Sequence, residues 1–309
     1  MKKILVVCGP TASGKTGFAV QMAKSFGGEV ISADCMLVYR GFDIGTAKPT
    51  PAEMDGVPHH MIDIVGAGET FSASDYEAMA KPVCERLLSE NMLPVICGGT
   101  GFYIQTLLFS RSLGHVGSSA DVRQKYERVA IEEGKESLYA RLCKIDPRSA
   151  EKLHPNDVRR VIRALEIYEL TGRRKSDQQD GFVARYPYVA VAFDYPRSEL
   201  YARIDRRVDR MLECGLVKEV QNLLSSGVSD AAQSMQGIGY KEVVQYLKNE
   251  ISYSTMRDII KQDSRNYAKR QITFFKKFPD IIWLDPHAEG NAATVREMLE
   301  RCMRAILKK

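Results

Sequence analysis

Hydrophobic and polar positions follow two patterns that take turns along this chain. Short runs of consecutive apolar residues predict buried strands, and longer segments with apolar positions three or four apart predict helices. Because strands and helices alternate, we predict a parallel α/β sheet flanked by helices, with ligands at the carboxyl ends of its strands. The segments predicted as strands are KILVVCG, GGEVISAD, MLPVICGG, YVAVAFDYP and DIIWLD.

The texture of the sequence changes near Ser112, where the small-residue segment SLGHVGSSAD begins. Helical patterns alone follow it until the strand YVAVAFDYP. A helical block bounded by strands on both sides predicts an inserted all-helical domain, over 114–186, while 1–113 and 187–309 form one discontinuous core. Before the insertion, the helix within SASDYEAMAKPVCERLLSEN is predicted to begin with a capping box formed by Ser74 and Glu77.

Composition places the chain among ordinary globular proteins, with 44% hydrophobic and 27% charged residues. No apolar run approaches the roughly 20 residues needed to span a bilayer, and the run in MKKILVVCGP is too short for a signal peptide. The seven cysteines are scattered and never spaced as CxxC, which indicates reduced thiols in the cytoplasm and disfavours a zinc module. The adjacent His59 and His60 favour packing over metal binding.

The net charge of +5 suggests a polyanionic partner only weakly. Lys and Arg exceed Asp and Glu within 111–185 and again within 261–277, which is compatible with nucleic acid, although most charged faces are simply solvated. In the second segment Lys261, Arg265 and Lys269 repeat every four residues and predict a basic stripe. We expect Tyr267 and the neighbouring phenylalanines to be core residues.

The segment GPTASGKT fits the phosphate-loop pattern, and it stands between a predicted strand and a predicted helix, as such a loop requires. Its backbone N–H groups and the start of the helix can bind phosphate oxygens. Lys15 supplies a cation, and the Thr16 hydroxyl is a predicted Mg²⁺ ligand. The predicted diphosphate-binding residues are Gly9, Pro10, Thr11, Ala12, Ser13, Gly14, Lys15 and Thr16.

A nucleotide hydrolase also needs a carboxylate at the end of a later strand, and the strand in PVICGG carries none. Asp34 follows the second strand instead, where it can serve a metal or act as a general base on an acceptor. The residues therefore favour a group-transfer enzyme over a motor or a switch.

Six segments together resemble the bacterial tRNA isopentenyltransferase family, and they occur in the family's order. The resemblance implies a P-loop NTPase-like core that binds dimethylallyl diphosphate in place of ATP. It further implies transfer of the dimethylallyl group to N6 of the adenine 3′ to the anticodon, in tRNAs that read codons starting with U. Mg²⁺, the tRNA anticodon stem-loop and a monomeric cytoplasmic enzyme are implied as well. The segments are GPTASGKT, ISADCMLVYRGFDIGTAKPT, GVPHHMIDI, GGTGFYIQTLL, HPNDVRRVIRALEIYELTG and YAKRQITFFKK.

The resemblance also implies roles for individual residues. Asp34 would be the general base, and Lys15, Thr16 with Mg²⁺, and Arg203 or Arg207 would stabilise the departing diphosphate. Cys35 and Leu37 stand where the family usually has Ser and often Gln, so two hydrogen-bonding groups are missing. The residues expected to bind tRNA are Asp34, Cys35, Met36, Leu37, Thr100, Arg123, Arg159, Arg160, Val161, Ile162 and Arg163.

Two other functions remain open from the sequence. A small-molecule or nucleoside kinase would use the same loop for ATP, and the basic insertion disfavours it. A noncatalytic RNA-binding protein would have no need of Lys15, Thr16 and Asp34. Arg163 also has a purely structural alternative, an ion pair with Glu166 or Glu169 on its own helix.

Overall fold

The computed structural model describes residues 3–110, 117, 119–177 and 183–306, with side chains up to Arg301. The chain divides into two compact units. The first consists of Met1–Leu108 with Ala184–Lys309, and the second is Phe109–Val183. Most of the segment SLGHVGSSAD lies outside the described residues.

A six-stranded sheet forms the centre of the first unit, with the strand order β3-β2-β4-β1-β7-β8. All its registered pairs are parallel, so the predicted parallel α/β sheet is confirmed. The two-residue strand β3 was missed because histidines are its only residues. The strands are β1 (Ile4–Cys8), β2 (Glu29–Ser32), β3 (His59–His60), β4 (Pro94–Gly98), β7 (Tyr188–Phe193) and β8 (Ile281–Leu284); β5 (Phe109–Ser110) and β6 (Val183–Ala184) form a separate two-stranded sheet.

Helices of the first unit pack against the sheet. In this unit they are α1 (Lys15–Phe26), α2 (Pro51–Met54), α3 (Ala73–Ser89), α4 (Gly101–Leu108), α9 (Arg197–Glu213), α10 (Leu216–Ser225), α11 (Tyr240–Leu247), α12 (Tyr253–Phe275) and α13 (Asn291–Ile306). The N-terminal capping box of α3 lies two residues earlier in the chain than predicted. Ser72 caps the helix and pairs reciprocally with Asp75, whereas Glu77 forms an ion pair with Arg185.

The strands β1, β2 and β4 are buried along their whole length, which explains their continuous apolar sequences. At the end of β4 the backbone approaches the chain that leaves β2. A Cβ atom on Gly98 would lie 2.1 Å from the carbonyl oxygen of Ala33, so only glycine fits there without a shift. This contact brings Asp34 and the segment after β4 to the same edge of the sheet as the phosphate loop.

The second unit contains the helices α5 (Ala120–Glu132), α6 (Lys135–Ile145), α7 (Pro147–Ala150) and α8 (Val158–Thr171). Its apolar core includes Leu138, Leu142 and Leu165, all fully buried. The unit begins and ends a few residues before the predicted interval 114–186. Its predicted role, binding the anticodon stem, stays a prediction.

Among the residues that the structure describes, every helix is either too short or too polar to cross a lipid bilayer.

We predict that Gly98→Ala destabilises the first unit, since the added Cβ meets backbone and not a movable side chain. The free energy of unfolding should fall by about 1–3 kcal/mol. Urea unfolding followed by the fluorescence of Trp283, the sequence's single tryptophan, measures it in the sheet itself. The matched control is Gly17→Ala in α1, where an added Cβ meets nothing within 4 Å. That variant should be neutral or more stable by up to about 1 kcal/mol; equal effects of the two substitutions would contradict the argument.

Candidate active site

A cavity of about 500 Å³ opens at the carboxyl edge of the sheet in the first unit. Parts of the chain that are distant in sequence line it, among them the phosphate loop, the segment after β2 and the helices α9 and α12. The lining includes Thr11, Lys15, Thr16, Asp34, Cys35, Met36, Leu37, Arg207, Tyr267, Arg270 and Gln271. The structure thus brings Lys15 and Thr16 of the predicted diphosphate site together with residues 34–37 of the predicted tRNA site.

The phosphate loop is held in shape by its own backbone and side chains. The Ser13 hydroxyl donates to the Pro10 carbonyl at 2.9 Å, and the Lys15 ammonium donates to the same carbonyl. Gly14 adopts a φ of 82° just before α1, a conformation that favours glycine. The first turn of α1 therefore points its free N–H groups and its positive dipole end towards an incoming anion.

The two arginines on α9 have different partners. Arg203 donates from Nε to the Ala12 carbonyl at 2.8 Å, and its guanidinium lies 4.8 Å from the centre of the Tyr195 ring. Arg207 lines the cavity and donates to the Thr46 carbonyl at 2.9 Å. Arg203 therefore supports the phosphate loop, and Arg207 lines the cavity.

Burial disfavours the charged forms of Lys15 and Arg207. Burial, together with the nearby Arg207 guanidinium, lowers the pKa of Lys15 to about 8, although Asp34 acts in the opposite direction. Burial also lowers the pKa of Arg207 from its ordinary value, opposed by Asp34. A dianionic ligand between them would relieve both effects, because it favours the charged forms.

The segment after β2 is fixed by short local contacts. Asp34 accepts a hydrogen bond from the Met36 N–H at 2.9 Å through one carboxylate oxygen. The Cys35 N–H donates to the Thr100 hydroxyl at 3.0 Å, which ties this segment to the start of α4. Burial raises the pKa of the Cys35 thiol to about 11, so it is neutral at physiological pH. Thr100 therefore positions the backbone beside Asp34, a role that its place in the motif did not reveal.

Sequence reasoning missed Gln271 on α12. Its carboxamide accepts from the Thr11 N–H at 2.9 Å and donates to the Gly99 carbonyl at 2.9 Å, in a buried position. This side chain links the phosphate loop to the turn after β4. The segment YAKRQITFFKK drew attention to this helix, but no pattern in the sequence shows that a glutamine reaches two distant loops.

The prediction of a basic stripe on α12 is wrong for two of its three residues, because these two form ion pairs with another helix. Lys261 pairs with Asp209 and Arg265 with Asp205, so both fasten α12 to α9. Lys269 is exposed. Phe275 is a core residue as expected, whereas Tyr267 is half-buried and lines the cavity.

Comparisons with known proteins agree with this arrangement. A family model described as IPP transferase matches residues 37–278. The tRNA dimethylallyltransferase of Pelotomaculum thermopropionicum is 42% identical over 309 residues, covering 98% of this chain and 97% of that protein. That of Caldanaerobacter subterraneus subsp. tengcongensis is 46% identical over 286 residues, covering 91% of each chain.

The chain belongs to the IPP transferase family.

Solved structures of the family confirm the fold class. The tRNA isopentenylpyrophosphate transferase from Bacillus halodurans superposes with a TM-score of 0.75 at 40% identity, covering 100% of this chain and 99% of that one. A eukaryotic dimethylallyltransferase acting on tRNA gives a TM-score of 0.81 at 29% identity, covering 96% and 78%. The predicted enzyme class, a prenyltransferase of the tRNA dimethylallyltransferase type, is confirmed by these relatives, and the kinase alternative is not favoured.

In this family member the predicted tRNA-binding residues of the helical unit fall into different environments. Arg159 and Arg160 are exposed on α8. Val161 and Ile162 are buried in the core of the unit, so their side chains face away from solvent, and side-chain contact with RNA is no longer expected of them. The expectation of RNA contact is therefore retained for the arginines.

Arg123 and Arg163 share the buried carboxylate of Glu166. Arg123 donates to Oε1 at 2.9 Å and to Oε2 at 3.3 Å, and Arg163 also donates to Oε2, at 2.5 Å. Glu166 also accepts from the Ser119 N–H at 2.9 Å, and these donors lower its pKa although burial alone would raise it. The structural alternative stated for Arg163 is thus realised here, with Arg123 as a second partner.

The chemistry of the lining residues fits the predicted Mg²⁺ ion. Mg²⁺ keeps several waters and is usually bound by one or two protein oxygens together with substrate phosphates. The Thr16 hydroxyl and the Asp34 carboxylate line the same cavity. Among the described residues no cluster of three or more His, Cys, Asp or Glu side chains forms a separate metal site.

We predict that Gln271→Met destabilises the protein, because it fills a similar volume but leaves the buried Gly99 carbonyl and the partly buried Thr11 N–H unpaired. Each orphaned group should cost about 1–3 kcal/mol, measured as a lower midpoint in thermal unfolding by calorimetry. Gln262→Met on the exposed face of the same helix is the control, and it should stay within about 0.5 kcal/mol of the wild type. A Gln271 variant as stable as this control would show that the link is dispensable.

Proposed function

We propose that the cavity of the first unit transfers a dimethylallyl group from dimethylallyl diphosphate to N6 of an adenine in tRNA, the one 3′ to the anticodon. The observation that carries this proposal is that a phosphate loop, a carboxylate and a cavity-facing arginine line one cavity. The relatives named tRNA dimethylallyltransferase support the same donor and acceptor. We further propose that the protein acts in the cytoplasm as a monomer.

The donor's diphosphate binds on the phosphate loop, between Lys15 and Arg207. The loop recognises two adjacent phosphate groups and does not require a nucleoside, so a prenyl diphosphate fits as well as a nucleotide. Thr16 would hold Mg²⁺, which supplies positive charge to the leaving group. Preorganised charge of this kind commonly contributes more to the rate than any other single catalytic effect.

The transfer step is a substitution at the allylic carbon. The bond from this carbon to the diphosphate oxygen breaks with its electron pair leaving on oxygen, where Lys15 and Arg207 stabilise the negative charge. The N6 lone pair forms the new carbon–nitrogen bond. N6 also loses a proton, which the Asp34 carboxylate accepts, and this matters because the lone pair is delocalised into the purine.

The acceptor must leave the stacked anticodon loop to reach such a pocket. Residues 34–37 and Tyr267 line the cavity and would surround the extruded base. Arg159 and Arg160 of the helical unit, together with Arg123 and Arg163, which Glu166 holds, would bind the anticodon stem through its backbone, which is how structured RNA is mostly recognised.

The direct test incubates purified protein with Mg²⁺, unmodified tRNA and dimethylallyl diphosphate, and identifies the nucleosides by mass spectrometry. N6-(dimethylallyl)adenosine should form, and ATP in place of the donor should yield no phosphorylated product.

In the same assay Asp34→Asn keeps the oxygen that binds Met36 but removes the base, so transfer should fall about 10²–10⁴-fold while tRNA affinity stays within a few-fold. Asp258→Asn, an exposed position on α12, is the charge-matched control. Transfer by the Asp34 variant at near the wild-type rate would remove the base from the mechanism.

The pKa of Lys15 predicts how donor binding depends on pH. Below about pH 8 the ammonium is already charged, and the affinity does not depend on this group. Above about pH 8 Lys15 is largely uncharged in the free protein and must take up a proton when the diphosphate binds. The Kd for the diphosphate should therefore rise by up to about tenfold per pH unit. Titration calorimetry with inorganic pyrophosphate at about pH 7–9.5, in buffers of different ionisation enthalpy, measures both effects.

The control for this pH dependence is Lys15→Arg, whose guanidinium stays charged over the whole range. Its Kd should lack the additional rise above about pH 8 that Lys15 causes in the wild type, because the ionisation of pyrophosphate itself affects both proteins equally. Equal proton uptake by the two proteins at about pH 8.5 would contradict a depressed lysine pKa.

A further inference from the structure

The carboxylate of Glu219 on α10 binds three successive backbone N–H groups of the loop after Phe42. It accepts from Asp43 at 3.1 Å, from Ile44 at 2.7 Å and from Gly45 at 3.2 Å. Successive N–H groups that converge in this way form a concave anion site. Here the anion belongs to the protein itself, and its negative charge strengthens each hydrogen bond.

Tyr240, the first residue of α11, completes the attachment of this loop. Its hydroxyl donates to Glu219 at 2.6 Å, and its buried ring packs against Phe42 with the ring centres 4.6 Å apart. A Cβ on Gly45 would lie 2.6 Å from the Tyr240 ring, so the absence of a side chain lets the loop close on the tyrosine. Burial and the Glu219 charge raise the pKa of Tyr240, which keeps the donating proton in place.

The other side of the loop faces the cavity. Gly45, Thr46 and Ala47 are cavity-lining residues, and the Thr46 carbonyl accepts the hydrogen bond from Arg207. Lys48 closes the loop from its far end by pairing with Asp43 and Asp63. The orientation of the Arg207 guanidinium therefore depends on a carbonyl that directly follows the three N–H groups bound by Glu219.

We propose that Glu219 is a positioning residue for prenyl transfer, acting on Arg207 through the loop 43–46. Glu219 itself lines a separate cleft with Gly41, Cys214 and Lys218, so its effect passes through the backbone and not through contact with the donor. The inference rests on the proposed function, in which Arg207 faces the diphosphate. It adds a residue from α10 to the machinery of the site.

The first test compares three substitutions. Glu219→Gln keeps the shape but presents an NH₂ group to backbone N–H donors, which should loosen the loop. Hydrogen exchange of the amides of residues 43–45 should become at least about tenfold faster, and kcat should fall roughly ten- to a hundredfold with KM for tRNA little changed. Tyr240→Phe removes one hydrogen bond and should give a smaller effect. Glu213→Gln, an exposed position on α9, should match the wild type.

The second test is a double-mutant cycle with Arg207→Ala. If Glu219 acts through Arg207, Glu219→Gln should lower kcat less than about threefold once the arginine is gone. The same full loss in both backgrounds, or a Glu219 variant with unchanged amide exchange, would overturn the inference. If the wild type does not transfer the prenyl group, the proposed function fails, and the cycle is then judged on affinity for inorganic pyrophosphate. If Glu219→Gln and Arg207→Ala then reduce the affinity for pyrophosphate additively, the role of Glu219 is also overturned.

Discussion

The parallel pairing of β1, β4 and β2 is the constraint on which the rest of the site depends. Their carboxyl ends lie side by side, so the phosphate loop after β1 and Asp34 after β2 open on one edge. The pairing can be this close because Gly98 has no side chain to push Ala33 away. If β2 ran antiparallel to β1, Asp34 would lie at the opposite edge of the sheet from the phosphate loop.

Electrostatics at this edge are arranged around an anion. Lys15 and Arg207 are held where burial disfavours their charged forms, and Asp34 only partly compensates. Hydrogen bonds that fix the loops offset this cost in the folded chain. Examples are the hydrogen bond from the Thr11 N–H to Gln271 and that from the Ile44 N–H to Glu219. Binding of a diphosphate would favour the charged forms again, so affinity and the lowered lysine pKa have one origin.

The helical unit uses its charges differently. A buried glutamate organises Arg123 and Arg163, and the apolar side of α8 is taken up by the core. The exposed arginines of α8 stand on a helix whose orientation within the unit is therefore fixed. Such a rigid cationic surface is suited to the backbone of structured RNA, whereas the residues proposed for the chemistry belong to the other unit.

Local patterns in the sequence were sufficient for the five longer strands of the central sheet, for α1 between Lys15 and Phe26, and for the phosphate loop, because strand burial, helical periodicity and loop chemistry are encoded in neighbouring residues. The roles of Gln271, Thr100 and Glu219 were not accessible, since each depends on a hydrogen bond to a backbone group distant in sequence. For Lys261 and Arg265 the spacing predicted a basic stripe, but their ion-pair partners Asp209 and Asp205 lie on another helix and could not be inferred from it. The sequence determined which groups the chain carries for the reaction, and the tertiary structure alone decided which of them face the cavity and which hold it in shape.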